Sequence, residues 1–136
     1  MTFKNIDKVF NSSTISDPES KSVFEKHEGK EIEQITMNDD RLKILFKDGT
    51  VTVVYDEGQS CCEYRYMHCE DIRDFDYHKG AILRHIEVVN GTNIESDECH
   101  ETKFCNILTS KGVIQLVCHN EHNGYYGGFD LVIKDY

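Results

Sequence analysis

No apolar run in this chain of 136 residues approaches the roughly 18 to 20 residues that a membrane-spanning helix needs. The segment Met1 to Asn11 is polar and lacks the apolar centre of a signal peptide. The expected location is therefore the cytosol, so Asn11-Ser12-Ser13 and Asn90-Gly91-Thr92 read as turns, not glycan acceptors. Positive charge is also scarce. Fifteen Lys and Arg stand against twenty-five Asp and Glu, a net charge of -10. That imbalance argues strongly against sequence-tolerant DNA or RNA binding, which draws on clustered cations and counterion release. It favours a basic protein partner or mimicry of a nucleic acid, alongside the plainer service of charge to solubility. Repeats, low-complexity tracts and linkers are absent, and the length suits one domain with one modest core.

The catalytic signals are thin as well. Gly127-Gly128 has no following Lys-Ser/Thr and no strand–helix context, so it is no phosphate cradle. No nucleophile elbow or evident oxyanion hole accompanies any cysteine. Tyr125 and Tyr126 have no basic neighbours to hold phosphates, so they read as a cover for core or metal and not as a base-stacking surface.

What the chain does have is a period of two. Asp17-Pro18-Glu19-Ser20 starts a helix with a capping carboxylate and proline at the first helical position. The helix is expected to run to about His27, stop at Gly29 and bury Val23 and Phe24. Strands then follow over Ile32 to Met37, Arg41 to Lys47 and Val51 to Tyr55, the last two joined by Asp48-Gly49, a dipeptide suited to a tight hairpin turn. Cys61 to Met67 reads as extended with Tyr64 and Tyr66 on one face. His68 to Phe75 reads as a short helix, Ala81 to Val89 and Glu101 to Thr109 as strands, and Asn93 to His100 as an acidic loop. Val113 to Val117 and Phe129 to Ile133 flank the crowded tip Cys118 to Gly128 and are expected to form a hairpin. The predicted fold class is α+β: a mainly antiparallel sheet of about seven to eight strands, curled or two-layered, with one or two short helices. One domain spans 1–136, with an N-terminal arm and helix over 1–30 and a β-rich body with the metal site over 31–136.

Six cysteines in a reducing compartment are not expected to form disulfides, which leaves metal binding, catalysis or burial. Cys105 and Cys118 belong by pattern to the core. Zinc takes Cys and His in tetrahedral sets of four. His119-x-x-His122 offers two imidazoles on one irregular turn, and Cys61-Cys62 offers thiols from another strand. Adjacent residues of a regular strand point to opposite faces, so one thiol ligates, or both if the strand is distorted after Gly58. The candidate set is Cys61 or Cys62 or both, with His119 and His122, and His100 next in line. His68, Cys69, Cys99, Glu63 and Glu121 are weaker substitutes. The sequence carries no CxxC knuckle, and His119 and His122 can equally cap a polar tip by hydrogen bonding. His27, His78 and His85 read as surface or rim residues. The enzymatic alternatives are a Cys–His hydrolase built from Cys62, His119 and Glu121, and a catalytic zinc with Glu63 or Glu121 as base.

Asp56-Glu57-Gly58-Gln59-Ser60-Cys61-Cys62-Glu63 and His119-Asn120-Glu121-His122-Asn123-Gly124-Tyr125-Tyr126-Gly127-Gly128 together carry a resemblance. From about Glu31 to Lys134 the chain resembles a family of small phage- and prophage-encoded domains of unknown function with D-x-G-Q-x-C-C-E and N-G-Y-Y segments. Within that group it is similar to zinc-containing anti-CRISPR proteins of streptococcal phages that inhibit type II-A Cas9. The resemblance implies a structural zinc ion, Cas9 as partner and no catalysis. It supplies no ligand list; the ligand set above comes from spacing. Under this expectation the acidic groups Asp39 and Asp40, Glu70, Asp71, Asp74 and Asp76, and Glu95, Asp97 and Glu98 face the basic channels in which Cas9 holds guide and target.

Overall fold

A computed structural model describes residues 18–58, 63–69, 74–90, 99–122 and 128–136. Helix α1, Pro18–His27, has Glu19 in its first turn and Lys26 and His27 in its last, which suits the helix dipole. Gly29 follows at φ +88°, the left-handed conformation glycine adopts at little cost when a helix ends. Three strands come next: β1 Ile32–Asn38, β2 Arg41–Phe46 and β3 Val51–Asp56. They form the antiparallel meander that their alternation predicts. The β1–β2 turn is a two-residue one. Asp39 and Asp40 both take positive φ, 52° and 59°, as a tight hairpin turn of this hand requires.

Strand β4, Glu63–His68, and the single helical turn α2, Asp74–Tyr77, precede β5 Leu83–Asn90, β6 Cys99–Thr109, β7 Gly112–His122 and β8 Leu131–Asp135. The strands build two four-stranded antiparallel sheets, ordered β1-β2-β3-β8 and β4-β7-β6-β5. This is the expected mainly antiparallel α+β architecture, in its two-layered form. No helix among the described residues is long and apolar enough to cross a membrane.

One core lies between the sheets. Leu42, Ile44, Phe46 and Val54 face it from the first sheet, and Val88, Cys105, Ile107 and Leu116 from the second. At one end the layers are stitched by main-chain bonds between the starts of β1 and β5, including Ile32 N–H to Ala81 O at 2.8 Å and Leu83 N–H to Lys30 O at 3.0 Å. Helix α1 docks on β8, where Ser20 Oγ accepts the Ile133 N–H at 3.0 Å.

Five expectations change, the first being the short helix placed at His68 to Phe75: His68 closes β4 and the helical turn covers Asp74–Tyr77. The segments over 113–117 and 129–133 do not form a hairpin: β7 lies in one sheet and β8 in the other, paired with β3. Strand β7 continues through His122 because β4 and β6 pair with it along that length. His100 stands on β6, not on a loop. His27 and His78 are buried and not at the rim. His27 stacks on Phe46 at 5.0 Å with Nε2 2.8 Å from Asp135 Oδ1, and His78 Nδ1 lies 2.7 Å from Thr109 Oγ1. Each imidazole combines an apolar face with a partnered nitrogen, which hydrophobic periodicity does not register.

Candidate functional site: a histidine row and an arginine cluster on opposite faces of β7

Alternate residues of a strand share a face, and the register across β4, β7 and β6 sorts the polar side chains into two groups. Tyr66, His119 and Thr102 are cross-strand neighbours, as are Tyr64, Glu121 and His100. On the same outward face lies His68, opposite Val117. The other face carries Glu63, Arg65 and Met67 of β4, Cys118, Asn120 and His122 of β7, and Glu101 and Lys103 of β6.

The outward face holds three imidazoles in a row. His119 Nδ1 is 2.9 Å from His100 Nε2, and His119 Nε2 is 3.1 Å from His68 Nδ1. Each contact accommodates one proton, so neutral rings satisfy the row when His119 donates to one neighbour and accepts from the other. The Tyr66 ring lies nearly parallel to His119 at 4.4 Å, and Tyr64 stacks on Tyr66 at 4.7 Å. Tyr66 donates its hydroxyl to Glu121 Oε2 at 2.6 Å. Burial, followed by that bond, pushes the Tyr66 hydroxyl up to about 12. Burial also lowers the His119 pKa; His68 and His100 lower it further, while Glu121 acts in the opposite direction.

The inward face is organised around Arg65. Its Nη1 is 3.0 Å from Asp56 Oδ1 and 3.0 Å from Asp130 Oδ2, and its Nη2 is 3.1 Å from Glu63 Oε2. The side chains of Arg65, Asp56 and Glu63 are only 8%, 6% and 1% exposed. Asn120 donates from Nδ2 to Glu63 Oε2 and to Gly128 O, both at 2.8 Å. Asp56 Oδ1 also accepts the Gly58 and Asp130 N–H groups at 3.0 Å. A Cβ at Gly58 would fall on the Arg65 guanidinium and the Asp130 carboxylate, so the ends of those side chains would have to shift to admit one. The cluster bonds β3 of one sheet to β4 of the other, at the end remote from the β1–β5 stitching.

The sequence candidates therefore separate. His119 and His100 come together, and His68 joins them. His122 is on the far side of the strand, with Nε2 2.8 Å from Glu101 Oε1. An offset of three on a strand reverses the face, whereas the expected turn would have kept His119 and His122 together. Cys61 and Cys62 lie outside the described residues. Among the described residues, no group of three or more His, Cys, Asp or Glu side chains is arranged as it stands to hold a metal ion. Cys105 and Cys118 are core residues as expected; burial pushes the first thiol up to about 12 and the second well above its usual range, away from the thiolate a nucleophile needs.

Of the acidic groups, Asp39 and Asp40 are exposed at the β1–β2 turn and line a cleft of about 420 Å³ with Asp56, Glu57, Arg41 and Arg65. Asp40 Oδ1 accepts the Met67 N–H at 3.1 Å, linking the turn to β4. Asp76 is exposed on α2. Glu70, Asp71, Glu95, Asp97 and Glu98, and the side chain of Asp74, lie outside the described residues. Sequence reasoning gave Arg65 no role. A lone arginine between tyrosines in an acidic chain was its only signal.

No curated protein and no solved structure matches the chain. The model of a family described as a domain of unknown function, DUF7448, matches residues 25–132, from within α1 to β8, and the chain belongs to that family.

Proposed function

We propose that the protein is an acidic, non-catalytic binding module of the bacterial host cytosol, an anti-CRISPR protein whose partner is Cas9. It occupies a basic surface of Cas9 and thereby blocks loading and cleavage of target DNA. The identity of the partner rests on the resemblance of the D-x-G-Q-x-C-C-E and N-G-Y-Y segments. The observation that carries a binding role is charge: at a net -10, the chain exposes Asp39 and Asp40 on one open cleft with Glu57, a cleft that Arg41 also lines and in which Asp56 is paired with Arg65. Cas9 presents the complement, positively charged channels that hold the guide–target duplex. Direct contact with nucleic acid or a membrane forms no part of this reading. A structural zinc ion does, with His119 and His100 as the members of the sequence-derived set that the fold brings together.

The test is association with guide-loaded Cas9 followed by a target-DNA shift assay. The expected result is binding that weakens steeply with salt and prevents the DNA shift. Asp39→Lys with Glu57→Lys should weaken binding while sparing the Asp40 bond to Met67. Binding that ignores both salt and charge reversal, or no binding at all, sinks the proposal. Turnover of a peptide, ester or phosphodiester that a single Cys→Ala change abolishes would replace it with the hydrolase reading.

A further inference from the structure

We propose that Tyr64, on the outward face of the β4-β7-β6-β5 sheet, is the docking point for an arginine side chain of a basic partner. The guanidinium stacks on the open face of the Tyr64 ring, and Glu121 supplies the opposing charge. This contact is additional to the acidic cleft described above and stands whether or not the partner is Cas9.

Tyrosine rings in this chain gather cations. The face of an aromatic ring is electron-rich, and a guanidinium or ammonium within about 6 Å of its centre is drawn to it. Arg41 lies 4.2 Å from the centre of the Tyr55 ring, Lys43 3.9 Å from that of Tyr136 and Lys111 5.8 Å from that of Tyr77. Tyr66 has no face to spare, being stacked between Tyr64 at 4.7 Å and His119 at 4.4 Å. Tyr64 differs from all of these. One face rests on Tyr66, and at 63% exposure the other is open to solvent. Among the described residues, the outward positions of β4, β7 and β6 at this end include no lysine or arginine. A cation for Tyr64 therefore has to come from another molecule.

The surroundings suit that cation in charge and in rigidity. Tyr64 stands directly across from Glu121 in the β4–β7 register, a pairing that sets Cβ atoms roughly 5 Å apart. Glu121 is exposed, and its Oε2 accepts the Tyr66 hydroxyl at 2.6 Å, which holds the carboxylate beside the ring pair. Beneath Tyr64 the stack continues through Tyr66 to His119 and His68. A ring supported in this way has little freedom left to lose on binding. The net charge of -10 draws a basic surface toward the chain. Arginine fits better than lysine, because its planar and weakly hydrated guanidinium lies flat on a ring while the compact ammonium holds its water.

The experiment titrates the full, isotope-labelled chain with N-acetyl-arginine amide, and separately with N-acetyl-lysine amide at matched ionic strength, while backbone amide shifts are followed by NMR. Saturable shifts centred on Tyr64 and Glu121 are expected with the arginine amide, and binding roughly 2–5-fold weaker with the lysine amide. Tyr64→Leu removes the ring face, and Glu121→Gln removes the charge while keeping an acceptor for Tyr66. Each should weaken arginine binding by a similar factor. Asp39→Lys with Glu57→Lys should leave these shifts unchanged, which separates this contact from the cleft. If Tyr64→Leu fails to fold, Glu121→Gln and the contrast between the two amides decide. Absence of saturable shifts at Tyr64 and Glu121, an equal response to both amides, or full affinity in Tyr64→Leu overturns the proposal. Cas9 is not present, so failure here leaves the partner proposal standing, and failure of the Cas9 assay leaves this one.

Discussion

The two faces of β7 solve opposite problems with neighbouring residues. Asn120 points inward to a cluster in which one arginine meets Asp56, Glu63 and Asp130, and His122 points inward to Glu101. His119 and Glu121 point outward to a row of imidazoles and tyrosines that solvent reaches. Inside, Arg65, Asp56 and Glu63 are removed from water, so each depends on its partners and loss of one leaves the others stranded, whereas Asp130 reaches solvent. Outside, water replaces a lost partner cheaply, and the same polar groups are available to a ligand. Polarity on the inward face therefore serves the fold, and on the outward face it is free for function.

The sharpest way to break this contrast is Arg65→Met. It leaves Asp56 and Glu63 buried without their cation, and we expect a loss of about 3–5 kcal/mol in urea unfolding. A smaller cost there would mean that the inward cluster is wetter than the buried side chains suggest. Gly58→Ala attacks the same cluster by volume alone. Its Cβ would overlap the Arg65 guanidinium, and a cost of about 1–3 kcal/mol is expected in the same measurement.

On the outward face the informative readout is pH. His119 has its pKa lowered in the fold, chiefly by burial, so near its usual value of about 6.5 the unfolded chain binds more protons than the native one. The stability this group contributes is full above the unfolded value and is lost as pH falls through the lower folded value. His119→Phe keeps a ring against Tyr66 and removes the titration. In chelator-stripped protein, thermal unfolding between pH 8 and pH 5 should therefore show a shallower decline for the variant than for the parent, with midpoints close together at pH 8. Equal slopes would detach His119 from the acid sensitivity. The smallest effect is expected from Tyr66→Phe, which removes the hydroxyl bond to Glu121 and should cost about 0.5–1.5 kcal/mol by chemical denaturation.

Much of the framework was legible because it is written in local pattern. The β2 alternation Leu42, Ile44, Phe46 and the Asp48-Gly49 turn specify a hairpin whatever surrounds them, and Pro18 and Gly29 bound α1 by backbone geometry. The Asp39-Asp40 turn was less legible because aspartate adopts positive φ less readily than glycine. The candidate site was legible only as composition. Glycines and polar residues after Val117 suggested a turn, yet hydrogen bonds from β4 and β6 hold that segment extended to His122. That extension places His119 and His122 back to back.

Residue chemistry and periodicity alone determined the acidic character, the antiparallel strands, the meander and the presence of His119 and His100 among the groups worth watching. Only the tertiary structure decided which polar residues meet. Pairing register and the assignment of β7 and β8 to different layers are long-range facts, and a shift of one residue sends a side chain to the opposite face. That is why His119 meets His68 from 51 positions away and His100 from 19, while His122, three positions along, joins neither.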